Sequence, residues 1–494
     1  MGTMAMVMVM ELKIKKLFIV FCSIFTLPAV SGELQFEPSI STTETYSDNV
    51  DRVVVDPTAS FVNQLMAGLS ADYQSSLATL AFSGTQSYMF YSHNSKLNND
   101  FRSLNTEGSY SFWRNGPTLI ANASIDNISR NNANNSLADL VSGGTIERIN
   151  QSGGVQYNVG NTSYSVQSSV IYNRVRYGDD LNDSDGFTAS LNSKNGNNAR
   201  AVFWQLTSRY TKRKQLNSDS ENYTVNALMG AITPFNFNPF IRFYDEKITG
   251  SIANKNRQTT PSWGPGVRWL ASPHIFIDLS YNFVADKTVS EDYVTANVDW
   301  TPSPRTSLFA GYSQRFFGDA YNFAFNHSTR RLTNSMSYNE SLTSFERNNF
   351  QAVDGNLEPI ESREFSLNKR FSWQSKLQLS RTSFGINLSA NKRKGLETNV
   401  VDYNLDAGLT ITRNISPNSN LSLSTTFRFS EFDKDNPEGS RQTDYYRTYM
   451  MTYAKSLALS LSTNFNLQHV NRSSTNDKYS YNEMRAVINI KKDF

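Results

Sequence analysis

The chain has 494 residues, 47 of them basic and 44 acidic, for a formal net charge of +3, and 13% of it is aromatic. That near balance gives no reason to expect a nucleic-acid partner, and no apolar run in the body of the chain is long enough for a membrane-spanning helix. The single cysteine, Cys22, leaves neither a disulfide framework nor a dithiol redox role to expect.

At the start of the chain, Lys13, Lys15 and Lys16 form a basic stretch and Leu17 to Leu27 an apolar one. Ala29-Val30-Ser31 then offers small residues for cleavage near Gly32. Residues 1–31 therefore read as a cleaved secretory signal peptide, with Met10 as a candidate true start. The apolar run is too short to cross a bilayer as a helix. Phe21 is too bulky for a lipoprotein cleavage site before Cys22, so no lipid anchor is expected. Losing three lysines and Glu11 takes the net charge from +3 to +1.

The processed chain, residues 32–494, reads as one domain without linkers. It opens with Phe36 to Val50, FEPSISTTETYSDNV, in which Ile40, Thr42, Glu44 and Tyr46 alternate with small polar residues before a turn at Asp48-Asn49. Strand-like segments follow at Phe61 to Tyr73, Leu77 to Tyr91, Phe101 to Trp113 and Leu119 to Ile128. The Asn-rich tract Asn131 to Ser136 reads as a loop. Thr145 to Tyr177 and Arg200 to Lys212 continue the series less cleanly.

Beyond residue 220 the alternation sharpens. Tyr223, Val225, Ala227, Met229 and Ala231 share one face, and Ile275, Ile277, Leu279, Tyr281 and Phe283 oppose His274, Asp278, Ser280 and Asn282. The same holds for Val401 to Thr412, for Leu421, Leu423, Phe427 and Phe429 against Ser422, Ser424, Thr426 and Arg428, and for Leu457 to Leu467. Segments of about nine to eleven residues with one apolar and one polar face are what a transmembrane β-strand needs.

Short proline turns at Ser272-Pro273, Thr301-Pro302-Ser303-Pro304 and Ser416-Pro417-Asn418 alternate with longer polar stretches such as Asp245 to Ser262, Asn391 to Asn399 and Glu431 to Asp444. Outer-membrane barrels join their strands by short periplasmic turns and longer outer loops, which would make the proline turns periplasmic. Counting back from Phe494 places Thr301-Pro302 on the wrong side, which requires an unrecognised turn near Arg330 to Asn334 or a strand hidden in Leu342 to Pro359. The expected fold is all-β: a single large antiparallel transmembrane β-barrel of about 20 strands, an even number in the range of roughly 16–22.

The chain ends on Met484 to Phe494, where Met484, Ala486, Ile488, Ile490 and Lys492 alternate with Arg485, Val487, Asn489, Lys491 and Asp493. An apolar face ending in a terminal aromatic resembles the C-terminal signature of bacterial outer-membrane barrels, carried here by Ile488, Ile490 and Phe494; Lys492 departs from it. Trp300 to Ser344, WTPSPRTSLFAGYSQRFFGDAYNFAFNHSTRRLTNSMSYNESLTS, resembles a bacterial outer-membrane family found with PEP-CTERM/exosortase exopolysaccharide systems. Ser303-Pro304-Arg305-Thr306, Arg315-Phe316-Phe317-Gly318 and Tyr338 with Ser341-Leu342-Thr343 carry the likeness. Phe36 to Val50 and Asn197 to Tyr210, NNARAVFWQLTSRY, extend it along most of the processed chain. The resemblance implies a Gram-negative outer-membrane barrel tied to exopolysaccharide production or export. Its partners would be outer-membrane lipid and lipopolysaccharide, with polysaccharide and its export machinery.

Catalytic patterns are lacking. His93, His274, His327 and His469 are far apart in sequence, and no HExxH, GxSxG, P-loop or GxGxxG occurs. No enzyme activity, cofactor or metal is expected. The basic clusters Arg174 with Arg176, Lys212-Arg213-Lys214, Arg330-Arg331 and Lys392-Arg393-Lys394 suit solvated loops and strand ends, or a rim that meets an acidic polymer or lipopolysaccharide phosphates. Arg428, between Phe427 and Phe429, is the better lumen candidate, and Arg315 is another. The expected function is a pore linked to exopolysaccharide. A passive porin for small solutes would share its features, and a secreted soluble all-β protein would share the alternation but bury the aromatics.

Overall fold

Alternation of apolar and polar residues with a period of two commits most of this chain to strands. The computed structural model describes residues 32–196, 199–215, 218–250, 261–285, 291–344, 350–353, 356–361, 364–432 and 441–494. The expected signal peptide and the Asn197-Asn198 start of one matching stretch lie outside them. The first strands are β1 (Gly32–Ser47), β2 (Ser60–Ser75), β3 (Ala78–Tyr91), β4 (Asn99–Ser111), β5 (Thr118–Ser129), β6 (Thr145–Gly160), β7 (Tyr164–Tyr177), β8 (Ser184–Asn195) and β9 (Val202–Gln215). There follow β10 (Ser218–Ala231), β11 (Phe237–Thr249), β12 (Ser262–Ser272), β13 (Ile275–Val284), β14 (Tyr293–Ser303), β15 (Thr306–Arg315), β16 (Gly318–Ser328) and β17 (Leu332–Ser344). The last are β18 (Phe350–Val353), β19 (Asn356–Pro359), β20 (Phe365–Gln378), β21 (Thr382–Gly395), β22 (Val401–Ser416), β23 (Ser419–Phe432), β24 (Gln442–Ala458), β25 (Leu461–Ser474) and β26 (Tyr481–Asp493).

Consecutive strands pair antiparallel, and β17 pairs with β20 because β18 and β19 form a separate hairpin. β26 then returns to β1, with Ser39 opposite Asp493 and Ser47 opposite Arg485. Among the described residues the wall is thus closed, a 24-stranded ring with no free sheet edge at its ends. This corrects the expected count of about 20. Connections such as Phe316-Phe317 let the chain turn back sooner than sequence patterning reveals, and Thr145 to Tyr177, where the series was less clean, holds two strands.

The turn required near Arg330 is present: Thr329 N donates to the Leu332 carbonyl at 2.7 Å between β16 and β17. It restores the alternation of ends. All three proline turns now lie on the side that holds Gly32 and Phe494, with the longer connections opposite. The two ends are therefore a short-turn end and a loop end.

Sidedness follows from the pleat. Along β13, Leu279, Tyr281 and Phe283 are exposed outside while Asp278, Ser280 and Asn282 are buried inside. In β26, Met484, Ile488 and Ile490 face outward and Glu483 and Arg485 inward. Aromatic side chains crowd both rims of the outer face: Trp113, Phe235, Phe237, Trp269 and Trp300 near the short-turn end, and Tyr46, Phe61, Tyr172, Trp263, Phe283 and Tyr445 near the loop end. The inner face is knit by hydroxyl pairs, Ser169–Ser190 at 2.7 Å, Ser337–Ser372 at 2.7 Å and Thr412–Ser422 at 3.1 Å. Each such cross-strand pair contributes about 0.2–1 kcal/mol.

The ring is least regular around β15, β16 and β17. β14 and β15 stop pairing at Ala296–Tyr312, and β16 and β17 at Phe323–Tyr338, while β15 and β16 pair to Arg315–Gly318. The hairpin tip from Ser313 to Ala320 therefore extends past its ladder pairing with both neighbouring strands.

Candidate functional site

The loop end is where the chain departs from a plain cylinder. Fifteen residues between β5 and β6, RNNANNSLADLVSGG from Arg130 to Gly144, form a compact loop closed at its base by Arg130 N donating to the Gly144 carbonyl at 2.9 Å. Asn131 accepts from Ala133 N and Asn135 donates to the Gly143 carbonyl, so the asparagine side chains replace the missing ladder. Gly143 (φ 73°) and Gly144 (φ 72°) return the chain to β6 in a conformation that favours glycine.

This loop lies against the inner wall of strands far from its own. Leu137 packs on Tyr446, Val470 and Tyr481, and Leu140 and Val141 pack on Val50, Val62, Met89 and Tyr91. Tyr91 Oη also donates to the Val141 carbonyl at 2.9 Å. Four arginines then hold it. Arg485 makes a two-pronged contact with Asp139, 2.9 Å on each side, and Arg52 reaches Asp139 at 3.0 Å. Arg52 and Arg485 both also bind Glu483, whose side chain is fully buried. Arg472, ion-paired with Asp444 and stacked between the Tyr446 and Tyr479 rings, donates to the Asn134 and Ala133 carbonyls at 2.6 Å. Arg428 binds Asp406 and donates to the Ser136 carbonyl at 2.8 Å.

Two positive and two negative charges meet around Asp139 and Glu483, so the buried cluster is neutral. Burial opposes ionisation of Asp139, yet hydrogen bonds and charge from Arg485 and Arg52 hold its carboxyl well below the usual range. Burial likewise weakens the Arg52 guanidinium, but Asp139 and Glu483 more than offset it and keep it firmly charged.

Other latches cross the same end. Asn182, between β7 and β8, donates to the Ile360 carbonyl at 3.5 Å and accepts from Gln215 at 3.2 Å. Ser220 of β10 meets Ser344 of β17 at 3.0 Å. The β15–β16 tip is seated by Arg315, which binds the fully buried Glu246, and by Phe316, which packs with Ile248 and Phe365. Gly318 (φ 109°) makes the turn possible, so the Arg315-Phe316-Phe317-Gly318 motif is an anchor for this tip.

Other inward side chains lie open along the lumen. Gln205, Thr207 and Arg209 on β9 and Arg370, Gln374 and Lys376 on β20 are inward and exposed. The other basic clusters separate by face. Arg174 and Arg176 point outward at the loop end, as do Lys212 and Lys214, whereas Arg213 turns inward to the Ser344 carbonyl at 3.3 Å. Arg393 is buried inside against Asp402, and Arg330-Arg331 occupies a short turn. Arg428 and Arg315 both face the interior, but each is neutralised by a carboxylate. Phe494, exposed outside, is tied to β1 by its N–H donating to the Pro38 carbonyl at 2.9 Å, with Lys492 over its ring at 5.7 Å. Among the described residues no three metal-ligating side chains come together.

Sequence reading took the Asn-rich tract as a loop and missed its role. The available signal was the set Leu137, Leu140 and Val141, apolar residues inside a polar connection too long for a simple turn.

No known protein family's model matches the sequence, and none of the curated proteins matches it. Solved structures similar to the chain include the FrpB iron transporter (F3-3 variant) from Neisseria meningitidis, 10% identical with a TM-score of 0.45, covering 93% of this chain and 81% of that one. Another is the siderophore receptor PirA from Pseudomonas aeruginosa, 8% identical, TM-score 0.42, covering 93% and 80%. A third is a loop L8 deletion mutant of OmpT, an outer membrane protein of Vibrio cholerae, 9% identical, TM-score 0.35, covering 94% and 99%.

Proposed function

We propose that this chain is a channel of the Gram-negative outer membrane, shut at its loop end by the 130–144 segment, that passes a polar and largely uncharged cargo. The observation that carries the reading is the wall itself, apolar and aromatic outside and lined inside by Ser, Thr and Asn over one closed ring. Lipid accepts a β-structure only when every backbone group is paired and the exposed side chains are apolar. A secreted soluble protein would place Leu279, Leu423 and Ile488 in a dry core, yet they are 46%, 48% and 50% exposed.

Hydroxyl and amide side chains such as Asn387, Thr410, Ser422, Ser424 and Asn466 on the inner face suit hydrogen bonding to sugar hydroxyls. With the resemblance of Trp300 to Ser344, they favour exopolysaccharide as the cargo. Exposed and inward-facing Arg209, Arg370 and Lys376 favour a second reading, a porin for small solutes. Reconstituted channels separate the two: neutral oligosaccharides should block the current in a length-dependent way. Free passage of salts with no blockade by any saccharide would leave only the porin.

A further inference from the structure

Three loop-end connections meet around one cavity of about 410 Å³, lined by Arg130 and Asn134 of the 130–144 segment, Asp179 and Leu181 between β7 and β8, and Glu358 and Pro359 at the end of β19. Its size falls in the range of about 300–1,000 Å³ typical of small-ligand sites. The walls are fixed before any ligand arrives, because Arg472 holds the backbone carbonyls of Ala133 and Asn134 and Asn182 ties its connection to Ile360. Three non-glycine residues with positive φ, Ala138 (51°), Asp180 (56°) and Asn182 (64°), fall in the two connections that shape it. Such conformations are costly and gather where surrounding structure enforces them for a purpose.

The lining selects a chemistry. Asn134 offers both a donor and an acceptor, and its side-chain oxygen is buried with no hydrogen-bond partner. Leu181 and Pro359 supply little apolar surface, which argues against a greasy ligand. Arg130 brings one positive charge to the lining and Asp179 and Glu358 two negative ones, a net charge of −1 that disfavours anions. From these residues we infer that the cavity binds one or two units of a neutral saccharide. Its hydroxyls would hydrogen-bond the asparagine amides that line the cavity. This rests on the polysaccharide reading above, to which it adds a subsite at the mouth.

The full chain in detergent micelles is titrated calorimetrically with maltoheptaose and, separately, with an oligogalacturonate of equal length. Maltoheptaose should bind with millimolar affinity and the acidic oligomer at least tenfold more weakly. Asn134→Leu removes the amide but keeps the backbone carbonyl that Arg472 holds, and should weaken maltoheptaose at least tenfold while gel migration before and after boiling stays that of the parent. Equal binding by parent and variant, stronger binding of the acidic oligomer, or no binding of either would overturn the site. Solution binding requires no conduction. Binding without saccharide blockade in bilayers would therefore defeat the transport reading alone, and blockade without binding would defeat the site alone.

Discussion

Asp139→Asn should release the 130–144 segment from the wall. The carboxylate takes both prongs of Arg485 and the ion pair of Arg52, and its removal leaves those two cations sharing Glu483, a net buried charge of +1. Breaking a buried pair by removing one partner costs about 3–5 kcal/mol. Asp139 is 17% exposed and the arginines 10% and 8%, so the low end applies. About 3 kcal/mol would shift the docked-to-released ratio on the order of 150-fold. A cysteine at Ser136 reads this out, because residues 32–494 contain no other thiol. Its maleimide labelling in vesicles should be slow in the parent and faster by up to that factor with Asp139→Asn, alongside longer open events in single-channel records. Labelling within threefold of the parent, in a variant that still folds, would refute the proposed clamp.

The depressed Asp139 carboxyl also sets a pH window. Its contribution to docking is complete above its unfolded pKa of about 4 and is lost only as pH falls through the lower folded value, so labelling of the Ser136→Cys reporter should stay flat from pH 8 to 5 and rise below about 4. Arg315→Leu strands the fully buried Glu246 and should destabilise the barrel by about 3–5 kcal/mol, read as a lower urea midpoint. Leu423→Arg on the outer face should cost about 2–4 kcal/mol in lipid and cut the folded yield, whereas Ser424→Arg, one residue on but inside, should fold normally and reduce cation conductance.

Much of the wall was legible because a two-residue period leaves each apolar residue only one face. Leu421, Leu423, Phe427 and Phe429 fix the outside of β23 and thereby put Arg428 inside. The turn at Thr329-Arg330-Arg331 was one of two ways to restore parity with the proline turns, the other being a strand within Leu342 to Pro359. The total of 24 was not legible, because turns such as Asn161-Thr162-Ser163 carry neither glycine nor proline and merge two strands into one pattern. Partner choice was equally hidden. No local signal tells Asp139 to seek Arg485, 346 residues away, or Arg315 to seek Glu246. Long-range ion pairs depend on how the ring closes.

Cysteine scanning along Leu421 to Phe429 in lipid vesicles tests the wall most directly. Positions 421, 423, 427 and 429 should be quenched by lipid-borne probes and shielded from aqueous reagents, and positions 422, 424, 426 and 428 the reverse. Loss of that alternation, or its inversion, would contradict a barrel whose apolar face meets the membrane.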